Sequence, residues 1–236
     1  MKRMRWAIAP FVVAVLLFIA GPLDAGSKEK ETKVVRNAVE VLEDISAIPE
    51  KGIPPTLLQN AYGITVVPGV IKIGFVVGGR HGRGVVLVRD DRGGWSNPVF
   101  ISLTGGSVGW QIGAQSTDVI LVFKSMKSID GIMKGKFTLG ADAAIAAGPV
   151  GRRAEAATDA QFKAEIYSYS RSRGLFAGVS VEGAALQIDD EANADFYGKE
   201  GVRAEEVLQG SKIPSPPAAI RLKEFLAKHT DTRAGE

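Results

Sequence analysis

Glycine divides the stretch from Gly63 to Phe123 into short runs of valine, isoleucine and phenylalanine, and this pattern constrains the fold more than any other feature of the sequence. Such runs are typical of β-strands, and the Gly-Gly, His-Gly, Asp-Asp-Arg-Gly-Gly and Thr-Gly-Gly steps between them are typical of turns. Strands separated by so few residues pair antiparallel, because parallel strands need a crossover of about a dozen residues or more. The stretch therefore predicts a series of hairpins.

Helical patterns lie on both sides of this region. Residues 30–48 place apolar side chains at steps of three and four, which predicts an amphipathic helix that docks on the sheet; lying on a membrane is the alternative. Further helices are predicted after Pro54-Pro55, over residues 124–136, and after the proline-rich segment that begins at Pro214. We therefore predict the α+β class: a curled antiparallel β-sheet or barrel-like sandwich flanked by an N-terminal and a C-terminal helix.

A second hairpin is predicted from the sequence YSYSRSRGLFAGVSVEGAAL, residues 167–186. Alternate residues of a strand point to opposite faces, so the serines of this run share one face, and the tyrosines and arginines share the other. The small side chains predict close packing of the strand against another layer.

The first 25 residues have the order of a secretory signal peptide. Basic residues begin the chain, an apolar run over residues 7–19 follows, and small residues surround Ala25. The apolar run is shorter than the roughly 20 residues that a membrane span needs. We therefore predict a signal peptide over residues 1–25, cleaved near Ala25, and a single domain over residues 27–236; an uncleaved anchor is the alternative. The protein is then exported, and is periplasmic or secreted, with peripheral attachment to a membrane possible.

Composition excludes several classes of function. The chain has no cysteine, so disulfides, thiol catalysis and cysteine-bound zinc are excluded. Of 29 basic and 26 acidic residues, the signal segment holds three basic and one acidic, which leaves a nearly neutral domain. A binder of nucleic acid is usually strongly basic, so no nucleic-acid partner is predicted.

Three motifs suggest chemistry, but each lacks part of its usual context. The GGSVG sequence around Ser107 matches a nucleophile elbow, yet a strand-like pattern follows it where a helix is required. The GGRHGRG sequence, residues 78–84, precedes a strand and lacks the spacing of a phosphate loop. The DDEANAD sequence, residues 189–195, offers calcium-type oxygens without the glycine of a calcium loop, so a solvated turn is predicted. We therefore predict no enzyme, no metal and no cofactor.

Arginines concentrate in the predicted turns. Because arginine binds phosphate oxygens in a bidentate manner, turns at one end of a sheet could contact anionic lipid headgroups, with apolar side chains beside them inserting into the membrane. The alternative is that these arginines are merely solvated and that Phe176 lies in the core. The candidate lipid-binding residues are Arg80, Arg83, Arg152, Arg153, Arg171, Arg173, Leu175 and Phe176.

The sequence also resembles the SYLF lipid-binding domain family over roughly residues 34–197. The segments that carry this resemblance are AYGITVVPGV, GRGVVLVRD, GGWSNPVFISLTGGSVGWQIG, LGADAAIAAGPVGR, YSYSRSRGLFAGVSVEG and NADFYG. The resemblance implies a non-enzymatic module that binds membrane lipid. Eukaryotic members are associated with phosphoinositides and, in yeast-type members, with actin, and they carry SH3 or FYVE modules.

The signal segment suggests an exported, bacterial type of this family, for which phosphatidylglycerol and cardiolipin are the expected anionic phospholipids. The leading expectation is a cell-envelope module that binds an anionic phospholipid membrane surface through arginine-bearing turns. The alternative is an envelope scaffold that binds proteins without any lipid requirement. A carrier that holds an apolar ligand inside the curled sheet is a third expectation, and a hydrolase using Ser107 comes last.

Overall fold

Along the chain, helices come before the first strand, between strands and after the last strand. The computed structural model describes residues 23–47, 52–90, 92–150, 163–172, 175–208 and 213–230. Its helices are α1 (Leu23–Ser46), α2 (Pro55–Gln59), α3 (Met126–Met133), α4 (Asp190–Tyr197), α5 (Ala204–Leu208) and α6 (Pro217–Thr230). None of the helices in these residues has both the length and the apolar character needed to cross a membrane.

One sheet contains all the strands of the described residues. They are β1 (Gly63–Val88), β2 (Val99–Phe123), β3 (Lys136–Thr138), β4 (Ile145–Ala147), β5 (Ile166–Ser172), β6 (Leu175–Gly178) and β7 (Ala185–Ile188). The strand order is β3-β7-β2-β5-β4, with β1 paired to β2 and β6 paired to β5. The sheet is mixed, because β4 and β5 are parallel while the other pairs are antiparallel.

The two longest strands form a single hairpin. β1 and β2 pair from Gly63↔Phe123 to Val86↔Val99, with irregularities after Val67 and after Gly74. The Gly-Gly, His-Gly and Thr-Gly-Gly steps therefore lie in continuous strands, whereas the Asp-Asp-Arg-Gly-Gly step lies in the turn between β1 and β2. The prediction of several short hairpins is wrong here. β7 pairs with the beginning of β2, and β5 pairs with its end.

The long hairpin curls so strongly that β1 returns to its own beginning. The backbone N–H of Arg89, just after β1, donates to the carbonyl oxygen of Tyr62, just before it, at 2.9 Å. Close to this point, Gly84 lies against Val66: a Cβ at Gly84 would stand 2.2 Å from the Val66 carbonyl oxygen. Glycine is needed there because the two segments of backbone approach too closely for any side chain.

Helices pack on both faces of the curled sheet. α1 places a buried apolar stripe against β1, α4 and α6, as its helical period predicts. This core includes Val35, Leu42, Ile64, Phe100, Tyr169, Phe196 and Leu222. The opposite face forms a second core with α3, α5 and β3, which includes Val67, Val86, Leu103, Leu121, Ile132 and Phe137. Buried side chains therefore occupy both faces of the sheet.

The predicted α+β class, with a curled sheet flanked by helices, is confirmed. α1 docks on the sheet as predicted, although it spans Leu23–Ser46 and not residues 30–48. The acidic segment that was predicted as a solvated turn is instead helix α4. Its N-cap is Asp189, whose side chain accepts from the N–H of Ala192, and Gly198 ends it with a φ of 62°.

Candidate functional site

The arginines predicted to lie in turns lie in strands wherever the structure describes them. Arg80 and Arg83 belong to β1, opposite Gly105 and Ser102 of β2, and Arg171 belongs to β5. The turn placement of these three residues is therefore wrong, because the glycines beside them permit curvature of a strand and do not end it. Arg152, Arg153 and Arg173 lie outside the described residues.

Arg83 joins three parts of the fold. Its Nη1 donates to Oε1 of Glu31 in α1 at 3.1 Å, and its Nε and Nη2 donate to Oδ2 of Asp189 at 3.0 and 2.9 Å. Burial alone would lower the pKa of Arg83, but the hydrogen bonds and charges of Asp189 and Glu31 raise it above its ordinary value. Arg83 is thus a partly buried charge that holds α1 and the start of α4 onto the sheet.

Glu31 is the most enclosed member of this group. Its side chain is 2% exposed, and its Oε2 has no hydrogen-bond partner among the described residues. Burial raises the pKa of Glu31, and the charge and hydrogen bond of Arg83 oppose that rise. The ionised form of Glu31 therefore depends on Arg83.

Arg171 repeats this arrangement at the other end of α1. Its Nε and Nη2 each approach Oδ2 of Asp118 in β2 at 2.9 Å, and its Nη1 also pairs with Asp44 of α1. Oδ1 of the same Asp118 accepts from the N–H of Gly69, whose φ is 59°, so this cluster also fixes the first irregularity of β1. Arg83 and Arg171 each connect one acid of α1 to one acid of the rest of the fold.

Arg80 is the described member of the predicted set that retains an unneutralised charge. Its Nε donates to the carbonyl oxygen of Gly106 at 3.1 Å, and no described carboxylate forms an ion pair with it. Burial lowers the pKa of Arg80, but a guanidinium remains charged at physiological pH. Arg80 is therefore available to an anionic ligand, unlike Arg83 and Arg171.

Leu175 and Phe176 are adjacent in β6 but point in opposite directions. Leu175 is 77% exposed, the largest value for a large apolar side chain among the described residues. Phe176 is half-buried and stacks on Tyr169, with ring centroids 5.3 Å apart and an interplanar angle of 8°. Of the two, only Leu175 is placed to insert into a membrane, and Phe176 belongs to the core, as the alternative interpretation held.

Two further exposed apolar residues were missed by the sequence analysis. Ile71 and Ile73 of β1 are 48% and 61% exposed, and as alternate residues of one strand they share a face. The Ile-Lys-Ile pattern around Lys72 could have indicated a half-buried strand, but it does not reveal which face is covered. Their exposure adds a second apolar surface to that of Leu175.

The motifs that suggest catalysis lie in elements that do not supply the required geometry. Ser107 stands within β2 opposite Gly78, and no strand-to-helix turn follows it. The GGRHGRG segment is part of β1 and cannot form a phosphate loop before a helix. His229 lies on α6, where its Nδ1 is 2.8 Å from the Phe225 carbonyl oxygen. In the described part of the chain, no three His, Asp or Glu side chains form a metal-binding group.

A wide cleft opens beside the turn between β1 and β2. Its volume is about 990 Å³, and its lining includes Val88, Trp95, Met126, Met133, Lys134 and Lys223. The lining combines apolar side chains with charges of both signs, since Asp130 and Glu205 also face it. The lining of the cleft does not include Arg80 or Leu175.

Comparison with known proteins finds that the chain is similar to YSC84-like and LAS seventeen-binding proteins. It is 38% identical over 202 residues to the SH3 domain-containing YSC84-like protein 1 of Xenopus laevis, covering 83% of this chain and 60% of the frog protein. It is 37% identical over 201 residues to the protein YSC84 of Saccharomyces cerevisiae, covering 84% of this chain and 42% of the yeast protein. It is also 37% identical to the yeast LAS seventeen-binding protein 3, covering 43% of that protein.

The chain thus spans between 42% and 60% of the length of these relatives. The family model described as "Ysc84: Las17-binding protein actin regulator" matches residues 104–229, which is more than half of the chain. Neither this description nor the names of the relatives denotes an enzyme. The match reaches from near the start of β2 through β5, β6 and α4 to α6, and the chain therefore belongs to the Ysc84, or SYLF, family.

Proposed function

We propose that this protein is a non-enzymatic module that binds the surface of membranes containing anionic phospholipid. The observation that carries the proposal is Leu175, which projects into solvent at the start of β6, directly after the Arg173-Gly174 sequence. An apolar side chain beside a cation suits the boundary between lipid headgroups and acyl chains. The membership in the SYLF family and the charge of Arg80 support the same function.

This proposal divides the predicted residues into three groups. Arg80, Arg152, Arg153, Arg173 and Leu175 are assigned to the membrane surface. Arg83 and Arg171 are assigned to the attachment of α1, because carboxylates already occupy their guanidinium groups. Phe176 is assigned to the core through its contact with Tyr169.

Replacing Leu175 by serine is expected to weaken binding to anionic liposomes roughly tenfold, because the substitution removes apolar area that the membrane would cover. Co-sedimentation with liposomes of neutral phosphatidylcholine alone, or with added phosphatidylglycerol, measures this effect at low and at moderate salt. Wild-type binding should require the anionic lipid and weaken with salt, since exposed charges are screened over about 8 Å at physiological ionic strength.

The matched control is Ile220→Ser on α6, where the isoleucine is 44% exposed. It removes a similar apolar side chain from a different surface and should leave binding unchanged. If wild-type protein binds neither kind of liposome, the proposed function is wrong. If Ile220→Ser and Leu175→Ser weaken binding equally, Leu175 is not a specific contact to the membrane.

Export completes the proposal: the protein acts in the cell envelope, in the periplasm or after secretion, attached peripherally to a membrane. The order of basic, apolar and small residues in the first 25 positions supports this. Cleavage after Ala25 would remove only the beginning of α1 and would leave Glu31 and Asp44 in place. Mass spectrometry of the protein from fractionated cells tests the location, and a mature N-terminus at Gly26 is the expected result.

A second candidate function is protein binding without any lipid requirement. Two observations favour it: relatives carry the name Las17-binding protein, and the cleft of about 990 Å³ has the mixed lining of a protein-binding surface. Met126→Glu would introduce a charge at its rim, where Met126 is 38% exposed. Loss of a partner from pull-downs with Met126→Glu, with liposome binding intact, would support this function and assign it to the cleft.

A further inference from the structure

The middle of the long hairpin is a two-stranded ribbon. We define the ribbon as residues 70–80 of β1 and residues 105–117 of β2, which pair from Val70↔Thr117 to Arg80↔Gly105. β7 pairs with β2 only as far as Thr104, and β5 pairs with it only from Asp118 onwards. No described strand therefore extends the sheet on either edge of the ribbon.

The ribbon is largely apolar in sequence, and it exposes Ile71 and Ile73, whereas Val70 at its base is buried. Its only charged residues are Lys72 and Arg80, and it contains no acid. Ile71 and Ile73 share one face and are 48% and 61% exposed, whereas isoleucine is usually buried. An exposed apolar face on a ribbon whose two charged residues are both basic is matched chemically to a surface with negative headgroups above an apolar layer.

We propose that the ribbon is a membrane-inserting element, in which Ile71 and Ile73 enter the acyl region and Arg80 contacts the anionic headgroups. This inference rests on the proposed function, since it names a second contact for the same lipid surface. Leu175 lies near the base of the ribbon: its partner Ser172 accepts a hydrogen bond from Nε2 of Gln115, at 3.2 Å. A membrane could thus meet the ribbon and the end of β6 together.

A second protein strand fits the ribbon less well. A strand added to the free edge of β1 would pair backbone groups in the plane of the sheet. Side chains point out of that plane, so Ile71 and Ile73 would remain in water. A lipid surface covers the face itself, which is where the exposed apolar area lies.

The absence of cysteine from the chain allows a direct test with a single label. Ile73→Cys is labelled with an environment-sensitive nitrobenzoxadiazole dye and mixed with liposomes that contain phosphatidylglycerol. We expect the emission to shift to the blue and to be quenched by lipids that carry a nitroxide on the acyl chain. The matched control is Glu200→Cys, an exposed position after α4, whose label should stay in water.

The outcomes separate this inference from the proposed function. Co-sedimentation of the labelled Ile73→Cys variant without any shift in its emission would overturn the inference and leave lipid binding intact. No co-sedimentation of unlabelled wild-type protein would remove both. A shift at both labelled positions would show a general association with the surface and would also overturn the assignment to the ribbon.

A variant without a dye provides the second test. Ile71→Ser/Ile73→Ser should weaken liposome binding by more than about tenfold, since it removes two apolar side chains from the contact. Its thermal midpoint should stay close to that of wild type, because both positions are already exposed. Wild-type affinity of this variant would overturn the inference. Should the variant unfold, the single variant Ile73→Ser at the more exposed position repeats the measurement.

Discussion

Replacing Gly84 by alanine is expected to lower the free energy of unfolding by about 3 kcal/mol or more, the largest effect we expect from a single added carbon. A Cβ at Gly84 would stand 2.2 Å from the carbonyl oxygen and 2.9 Å from the carbonyl carbon of Val66, and 2.7 Å from the Cα of Val67. All three atoms belong to the backbone, so no rotation of a side chain can relieve the overlap. The two ends of β1 would have to separate.

Urea denaturation followed by circular dichroism measures the effect, and Gly79→Ala is its matched control. Gly79 lies in the same strand, but a Cβ there would meet no atom within 4 Å. Its substitution should change stability by less than about 0.5 kcal/mol. Equal effects of the two substitutions would mean that β1 does not pack against its own beginning.

Gly84 also shows why the sequence indicated the class of fold but not the shape of the sheet. The β-rich runs and the helical period of α1 are local patterns, and both predicted the correct type of secondary structure. A glycine that ends a strand and a glycine that allows two backbones to cross look alike in a sequence. Only the distance between Gly84 and Val66, 18 positions earlier, tells them apart.

The prediction of the candidate site was limited for the same reason, because the residues that contact its side chains are distant in the sequence. Arg83 was predicted to lie in a glycine-rich turn and to bind lipid. Its guanidinium instead binds the carboxylates of Glu31, 52 positions earlier, and Asp189, 106 positions later. Leu175 and Phe176 were selected together, because sequence cannot show which of two neighbours faces the core. Ile71 and Ile73 were overlooked because apolar alternation in a strand usually marks a buried face.

The second large loss of stability is expected on replacement of Arg83, the arginine that binds Glu31. Arg83→Met should lower the free energy of unfolding at neutral pH by about 3 kcal/mol, because it leaves the buried carboxylate without its cation. Methionine retains much of the volume of the side chain, so the effect reports the charge more than a cavity. Urea denaturation of both proteins over a range of pH is the measurement.

The pH dependence has a definite sign. Burial raises the pKa of Glu31 above its ordinary 4.5, and Arg83 opposes the rise. Because the folded pKa exceeds the unfolded one, the stability that comes from protonated Glu31 is complete below pH 4.5 and is lost as pH rises through the folded pKa. Without Arg83 the folded pKa rises further, and more stability is lost by neutral pH. The difference between wild type and Arg83→Met should therefore narrow as the pH is lowered.

Arg221→Met is the matched control, since Arg221 of α6 also reaches α1 through a 3.0 Å contact with Glu43. Its side chain is 68% exposed and that of Glu43 is 43% exposed, so its removal should cost less than about 1 kcal/mol. A loss for Arg83→Met that is no larger, or that does not change with pH, would mean that Glu31 is not held as a buried carboxylate. If both expectations hold, the attachment of α1 depends on Arg83, and Arg83 is not available to the lipid surface that we propose.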